Sequence, residues 1–188
     1  MEVKLDKRYP VPVDATRAWQ VLRDIEAVAT CMPGAQITER VDANRYRGTV
    51  KTKVGPATAS FGGEIEVIEI DADHRRIRLN ARGADKGGSS ASMNLTASLE
   101  PADGTRSVLV GSASVVVNGK FAQFGGRLMV QVSDAILAEF AANFAATAQA
   151  RAGSPSSNAP VKARQLNALA IAWNVVKSWF TGLFSRHA

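Results

Sequence analysis

The chain has 188 residues, 46% of them hydrophobic and 21% charged, which suits one core-forming domain with an appendage and excludes a disordered or wholly membrane-embedded protein. Its single cysteine, Cys31, excludes an intrachain disulfide framework and suits a reducing compartment. The net charge of +6 is lopsided, because five basic residues and no acidic one lie after residue 150 and residues 1–150 carry only +1, without the basic stripe that nucleic-acid binding needs.

In chain order, Val3, Leu5 and Tyr9 alternate with charged residues, which predicts a first strand ending at Pro10 and Pro12. No apolar h-region precedes it, so a cytoplasmic body is expected. Asp14 is placed to cap a helix through Trp19, Val21 and Leu22, and Ile25–Thr30 predicts a second short helix stopped at Pro33-Gly34. Six strand-like segments follow: Gln36–Arg40, Tyr46–Val54, Ala57–Ile70, Arg75–Ala84, Ser90–Glu100 and Ser107–Val117. In Ser90–Glu100, Ala91, Met93, Leu95, Ala97 and Leu99 alternate with Ser92, Asn94, Thr96 and Ser98, so one sheet face is covered and the other wet. From Gly126 to Ala150 an alanine-rich stretch repeats Met129, Val132, Ile136, Phe140 and Phe144 at helical spacing. The expected fold is α+β, a curved antiparallel sheet wrapped around this long helix. The expected domains are a body over 1–152, a Gly/Ser/Pro/Asn linker over 153–160 and a tail over 161–188.

Catalytic signatures are missing from the sequence. Neither His74 nor His187 has a partner at metal-ligand spacing, so no metal or resident cofactor is expected, and Cys31 beside Pro33-Gly34 suits a small buried filler. Gly55, Gly62 and Gly63 interrupt a strand and suggest a bend or bulge. Glu64, Glu66 and Glu69 are expected to face Arg75, Arg76 and Arg78 across a hairpin as an ion-pair ladder on the wet face, rather than a catalytic dyad. The segment Asn118–Gly126 carries Phe121 and Phe124 between glycines. It is either a hinge plugging one end of the sheet–helix space or a gate at a cavity mouth.

The tail holds two of the three tryptophans. Wound as a helix, it gathers Leu166, Leu169, Trp173, Val176, Phe180, Leu183 and Phe184 on one sector, with Lys177 and Trp179 also expected at the membrane. Asn167, Asn174, Lys177 and Gly182 weigh against a span, so an in-plane helix on anionic lipid is the leading expectation. Docking on a protein surface and spanning are the alternatives.

Three segments together carry a resemblance: Trp19, Leu22-Arg23-Asp24 and Cys31-Met32-Pro33-Gly34-Ala35; Gly55-Pro56 and Phe61-Gly62-Gly63; and Asn118 through Gly125. They resemble the CoxG family, the G-subunit family of carbon monoxide dehydrogenase, over roughly residues 1–150, and the tail is similar in kind to that family's membrane-binding extension. The resemblance implies a START-like helix-grip fold that holds a hydrophobic ligand between sheet and helix. It also implies a non-catalytic role, at the inner face of the cell membrane, beside a molybdenum-containing CO dehydrogenase-type enzyme. A respiratory quinone such as menaquinone or ubiquinone is the implied ligand, since its isoprenoid chain cannot cross water unaided. Met93, Leu95, Leu99, Phe121, Phe124, Met129, Val132 and Phe140 are the expected ligand-binding residues. An anchoring or assembly adaptor without a ligand is the second possibility, and a small hydrolase or cyclase on the same fold is the third.

Overall fold

The computed structural model describes residues 1–54 and 57–153. Gly55, nearly all of the linker over 153–160 and the whole tail, including its expected membrane-binding residues, lie outside the described residues.

Seven strands form one curved antiparallel sheet: β1 (Glu2–Val11), β2 (Ala35–Arg40), β3 (Arg45–Val54), β4 (Ala57–Asp71), β5 (Arg76–Asp85), β6 (Ser90–Pro101) and β7 (Ser107–Asn118). Their spatial order is β1-β7-β6-β5-β4-β3-β2, so the first and second strands in sequence are the two edges. Two short helices, α1 (Ala15–Leu22) and α2 (Ile25–Cys31), bridge those edges. The Asp14 carboxylate accepts the Thr16 and Arg17 amides and that of Asp24 accepts the Ala27 amide, which satisfies orphan donors at both helix starts. The long helix α3 (Gly125–Gly153) crosses the concave face, preceded by a 3₁₀ turn over Lys120–Phe124.

Four of the hairpin turns share one device. Asp42, Asp71, Asp85 and Asp103 each accept backbone amides two to four residues onward, an Asx-type closure that the Asp/Asn/Gly-rich turn sequences favour.

Two apolar clusters fill the two ends of the sheet–helix space. The larger unites α1, α2, the strands at that end, and Phe144 and Ala148 from the second half of α3. The smaller gathers Val54, Ala59, Val117 and Phe121, with Phe61, Phe124, Leu128, Met129 and Val132 packed around them. Cys31 is the buried filler expected, its thiol 3.3 Å from the Ala27 carbonyl oxygen.

Two expectations need correction. The irregularity in β4 falls between Val67 and Glu69, not at Gly62-Gly63, which pair regularly with Thr49, Gly48, Ala84 and Gly83. That bulge leaves Ile68 exposed and shifts the ladder. Glu64 pairs with Arg82 (3.2 Å) and Arg47 (3.5 Å), Glu69 with Arg76 (3.4 Å) and Arg78 (3.7 Å), and Glu66 lies opposite Asn80. Arg75 drops out because it occupies the turn at φ 47°.

Candidate functional site

Between the two clusters the concave face is not filled. An apolar chamber opens there in two adjoining lobes of about 220 and 330 Å³. Ala29, Met32, Ala35, Ile65, Ala81 and Met93 border both lobes. The sheet makes room by a row of residues in register across four strands: Gly48 on β3, Gly63 on β4, Gly83 on β5 and Ala91 on β6. All four line the larger lobe. A β-carbon on Gly63 would run into the Arg82 carbonyl oxygen and approach the Gly83 α-carbon at 2.6 Å. Glycine is therefore required there by close backbone approach, and the missing side chains leave the floor bare.

The expected ligand-binding residues divide three ways. Met93 and Leu95 from β6 and Phe140 from α3 line the smaller lobe, and Met93 also reaches the larger one. Leu99 is 3% exposed and packs inside the larger cluster, one strand turn beyond the chamber. Phe121, Phe124, Met129 and Val132 belong to the smaller cluster, which forms the end wall behind Phe61, itself a lining residue. The rings of Phe61 and Phe121 are 5.7 Å apart and those of Phe121 and Phe124 6.1 Å, tilted stacks of the favoured kind.

That end wall is tethered. Lys120 meets the Asp85 carboxylate at 3.2 Å and lies 5.1 Å from the Phe121 ring centroid, which ties the β7–α3 connection to the β5–β6 turn. The Asp85 carboxyl is held below its ordinary range, chiefly by the Ser89 amide and then by Lys120. Gly119, at φ 80°, permits the close crossing, since a β-carbon there would meet the Ser89 α-carbon at 2.7 Å.

Sequence periodicity missed several wall residues. Leu137, not Ile136, joins Phe140 in the chamber; Ile136 and Val132 face a separate open groove of about 600 Å³ beside Lys51–Lys53. Val28 and Ala29 of α2, and Met32 just after it, close the chamber on that side, signalled only by the apolar run that ends at Cys-Met-Pro-Gly. Lys7 was also unmarked. It lies on the inward side of β1, between Leu5 and Tyr9, and its ammonium meets Asp134 of α3 at 2.7 Å.

The sequence model for the G-subunit of carbon monoxide dehydrogenase (CoxG) matches residues 9–149, a span that holds strands β2 to β7, the end of β1 and most of α3, but not Leu5 and Lys7 of the chamber wall. The chain belongs to the CoxG family. No curated protein matches it in sequence. Solved structures show that this CoxG family member has a START-like helix-grip fold. A conserved protein from Geobacillus kaustophilus superposes with a TM-score of 0.72 at 17% identity, covering 79% of this chain and 96% of that one. The Zhui aromatase/cyclase from Streptomyces sp. R1128 gives 0.61 at 14% identity, covering 82% and 100%. A START superfamily protein from Mycobacterium smegmatis gives 0.57 at 15% identity, covering 78% and 97%. These likenesses concern the fold, on which at least the aromatase/cyclase is an enzyme.

Among the described residues this CoxG family member shows no grouping of His, Cys, Asp and Glu able to hold a metal ion. The helical stretch Lys120–Gly153 is long and apolar enough to cross a membrane by length and composition, with a mean hydropathy of 1.2. In the fold Leu137 and Phe140 of this stretch border the smaller lobe, while most of its apolar surface is not buried.

Proposed function

We propose that this protein is a non-enzymatic carrier of a hydrophobic ligand of the respiratory-quinone class. It works at the inner face of the cell membrane and serves a molybdenum-containing CO dehydrogenase-type enzyme. The observation that supports this reading is the unfilled apolar chamber in a member of the CoxG family. The larger lobe is partly open to solvent and its exposed wall is almost wholly apolar, so an apolar guest would displace water from apolar surface there, worth about 25 cal/mol per Å² covered. The methionines Met32 and Met93 at the junction of the lobes suit a wall that repacks around a flexible chain. The basic, aromatic tail over 161–188 would keep the chamber beside the lipid that stores such a ligand.

The test is organic extraction of the purified full chain followed by mass spectrometry. Stoichiometric quinone is the expected result. A reproducibly empty protein that still recruits its enzyme to membranes would favour the anchoring or assembly adaptor instead. A cyclase or hydrolase would need an acid–base pair in the chamber; the smaller lobe offers Lys7 and Tyr9, and the larger one Glu64 and Arg82, which pair with each other at 3.2 Å.

A further inference from the structure

The smaller lobe is bordered by side chains from β1, α1, α2, α3 and the sheet interior, and all but two are apolar. The exceptions are Lys7 and Tyr9, two residues apart on the same face of β1. Along an extended strand that places their α-carbons about 6.6 Å apart. Strand alternation would normally put a lysine on the wet face, as it does with Lys4; here Leu5, Lys7, Tyr9 and Val11 share the inward side. Two features make an inward lysine tolerable. Its cross-strand neighbour is Gly111, which offers no side chain to crowd it, and Asp134 on α3 takes its ammonium at 2.7 Å. The Tyr9 hydroxyl has no hydrogen-bond partner among the described residues. It is thus a free donor at the rim of an otherwise apolar space.

We propose that Lys7 and Tyr9 are the polar end of the chamber, and that they select ligands carrying a carbonyl oxygen on an apolar body. Asp134 is the positioning residue, which holds the ammonium at the seam between β1 and α3. Both groups can donate to an acceptor, and the rest of the smaller lobe's lining has no side chain that can. A ring carbonyl would accept from one or both, while the hydrocarbon portion lies against Met93, Leu95 and Phe140. Discrimination follows because a ligand without the oxygen leaves the Tyr9 hydroxyl, and the ammonium donors that Asp134 does not take, unpaired once water is displaced. This inference rests on the carrier reading above and adds which part of the ligand is recognised, and where.

The experiment uses the full chain and two synthetic probes with the same short prenyl chain: a naphthoquinone, and the corresponding naphthalene without carbonyl oxygens. Affinities are measured by titration calorimetry for the wild type, Lys7→Met, Tyr9→Phe and Asp134→Asn. The wild type should prefer the quinone. Lys7→Met and Tyr9→Phe should each weaken quinone binding about tenfold, the scale of one lost hydrogen bond to a desolvated acceptor, and leave the naphthalene within about twofold. Asp134→Asn should weaken the quinone less than Lys7→Met does. Equal losses for both probes in Lys7→Met and Asp134→Asn would make the ion pair a latch between β1 and α3 and overturn the proposal. Tight binding of both probes, unchanged in every variant, would overturn it and leave the carrier reading standing. Binding of neither probe by the wild type would sink the carrier reading and this inference together. Tyr9→Phe, which removes one oxygen and little else, keeps the test decisive if Lys7→Met folds poorly.

Discussion

Ala91→Phe separates a chamber from a core by the sign of its effect. Ala91 sits on the inward face of β6 at the end of the row Gly48, Gly63 and Gly83, and borders the larger lobe. Its neighbours in that row have no side chains to displace. Fully burying a phenylalanine is worth about 1.5–3 kcal/mol, against roughly 0.5–1 kcal/mol for the rotamers it loses. The ligand-free variant should therefore be more stable than the wild type by about 1–2 kcal/mol. For a domain of this size that raises Tm by about 2–8 °C. The same change in a close-packed core forces strain and costs about 1–3 kcal/mol, so Tm would fall. The assay is calorimetry of protein stripped of ligand by organic extraction, paired with quinone retention in the unextracted sample. A higher midpoint with no retained ligand is expected. A lower midpoint with ligand still bound would refute both the chamber and the assignment of Ala91 to its wall.

Three further outcomes follow from the same structure. Phe124→Ala should speed ligand exchange in a quinone-transfer assay while costing less than half of the ~3–5 kcal/mol that truncating an enclosed ring such as Phe144 costs, because Phe124 is only half-buried and Phe121 remains behind it. A stability loss as large as that of Phe144→Ala, with exchange unchanged, would make it plain core. Removing residues 154–188 should abolish co-sedimentation with anionic liposomes, and full binding by the shortened chain would move the membrane surface onto the body. Asp42, Asp71, Asp85 and Asp103 all have carboxyls held below the ordinary range, first of all by the backbone amides of their turns. A depressed carboxyl stabilises the fold above its unfolded pKa and loses that contribution as pH falls through the folded one. Tm should thus hold from pH 7 to about 5 and drop below about pH 4, with a shallower acid limb in Asp103→Asn. Parallel profiles for the two proteins would remove the turn aspartates as the cause.

Order and type of the elements were legible in the sequence because they depend on local physics. The alternation from Ala91 to Leu99, the cap at Asp14, the Asp-rich turns and the alanine-rich stretch after Gly126 each act within one strand, turn or helix, where period and capping are decided. The apolar faces of Met93, Leu95 and Phe140 followed from the same periods. Tertiary structure alone decided which apolar residues border empty space and which are core. Leu99 and Met93 share a face of β6, yet one lies under α1 and the other beneath the gap between two clusters. Leu137 displaces Ile136 from the chamber because the helix's crossing orientation, not its stripe, sets which side faces the sheet. The glycine floor needed the register of four strands, and the bulge after Val67 shifted the salt-bridge ladder without a signal in β4 itself. Lys7 is the sharpest case. Its place in the alternation put it inward, but only Asp134, 127 residues away in the chain, and the bare face of Gly111 make a charge tolerable at that rim. Periodicity is a property of neighbouring residues, whereas a cavity is a property of what distant elements fail to fill.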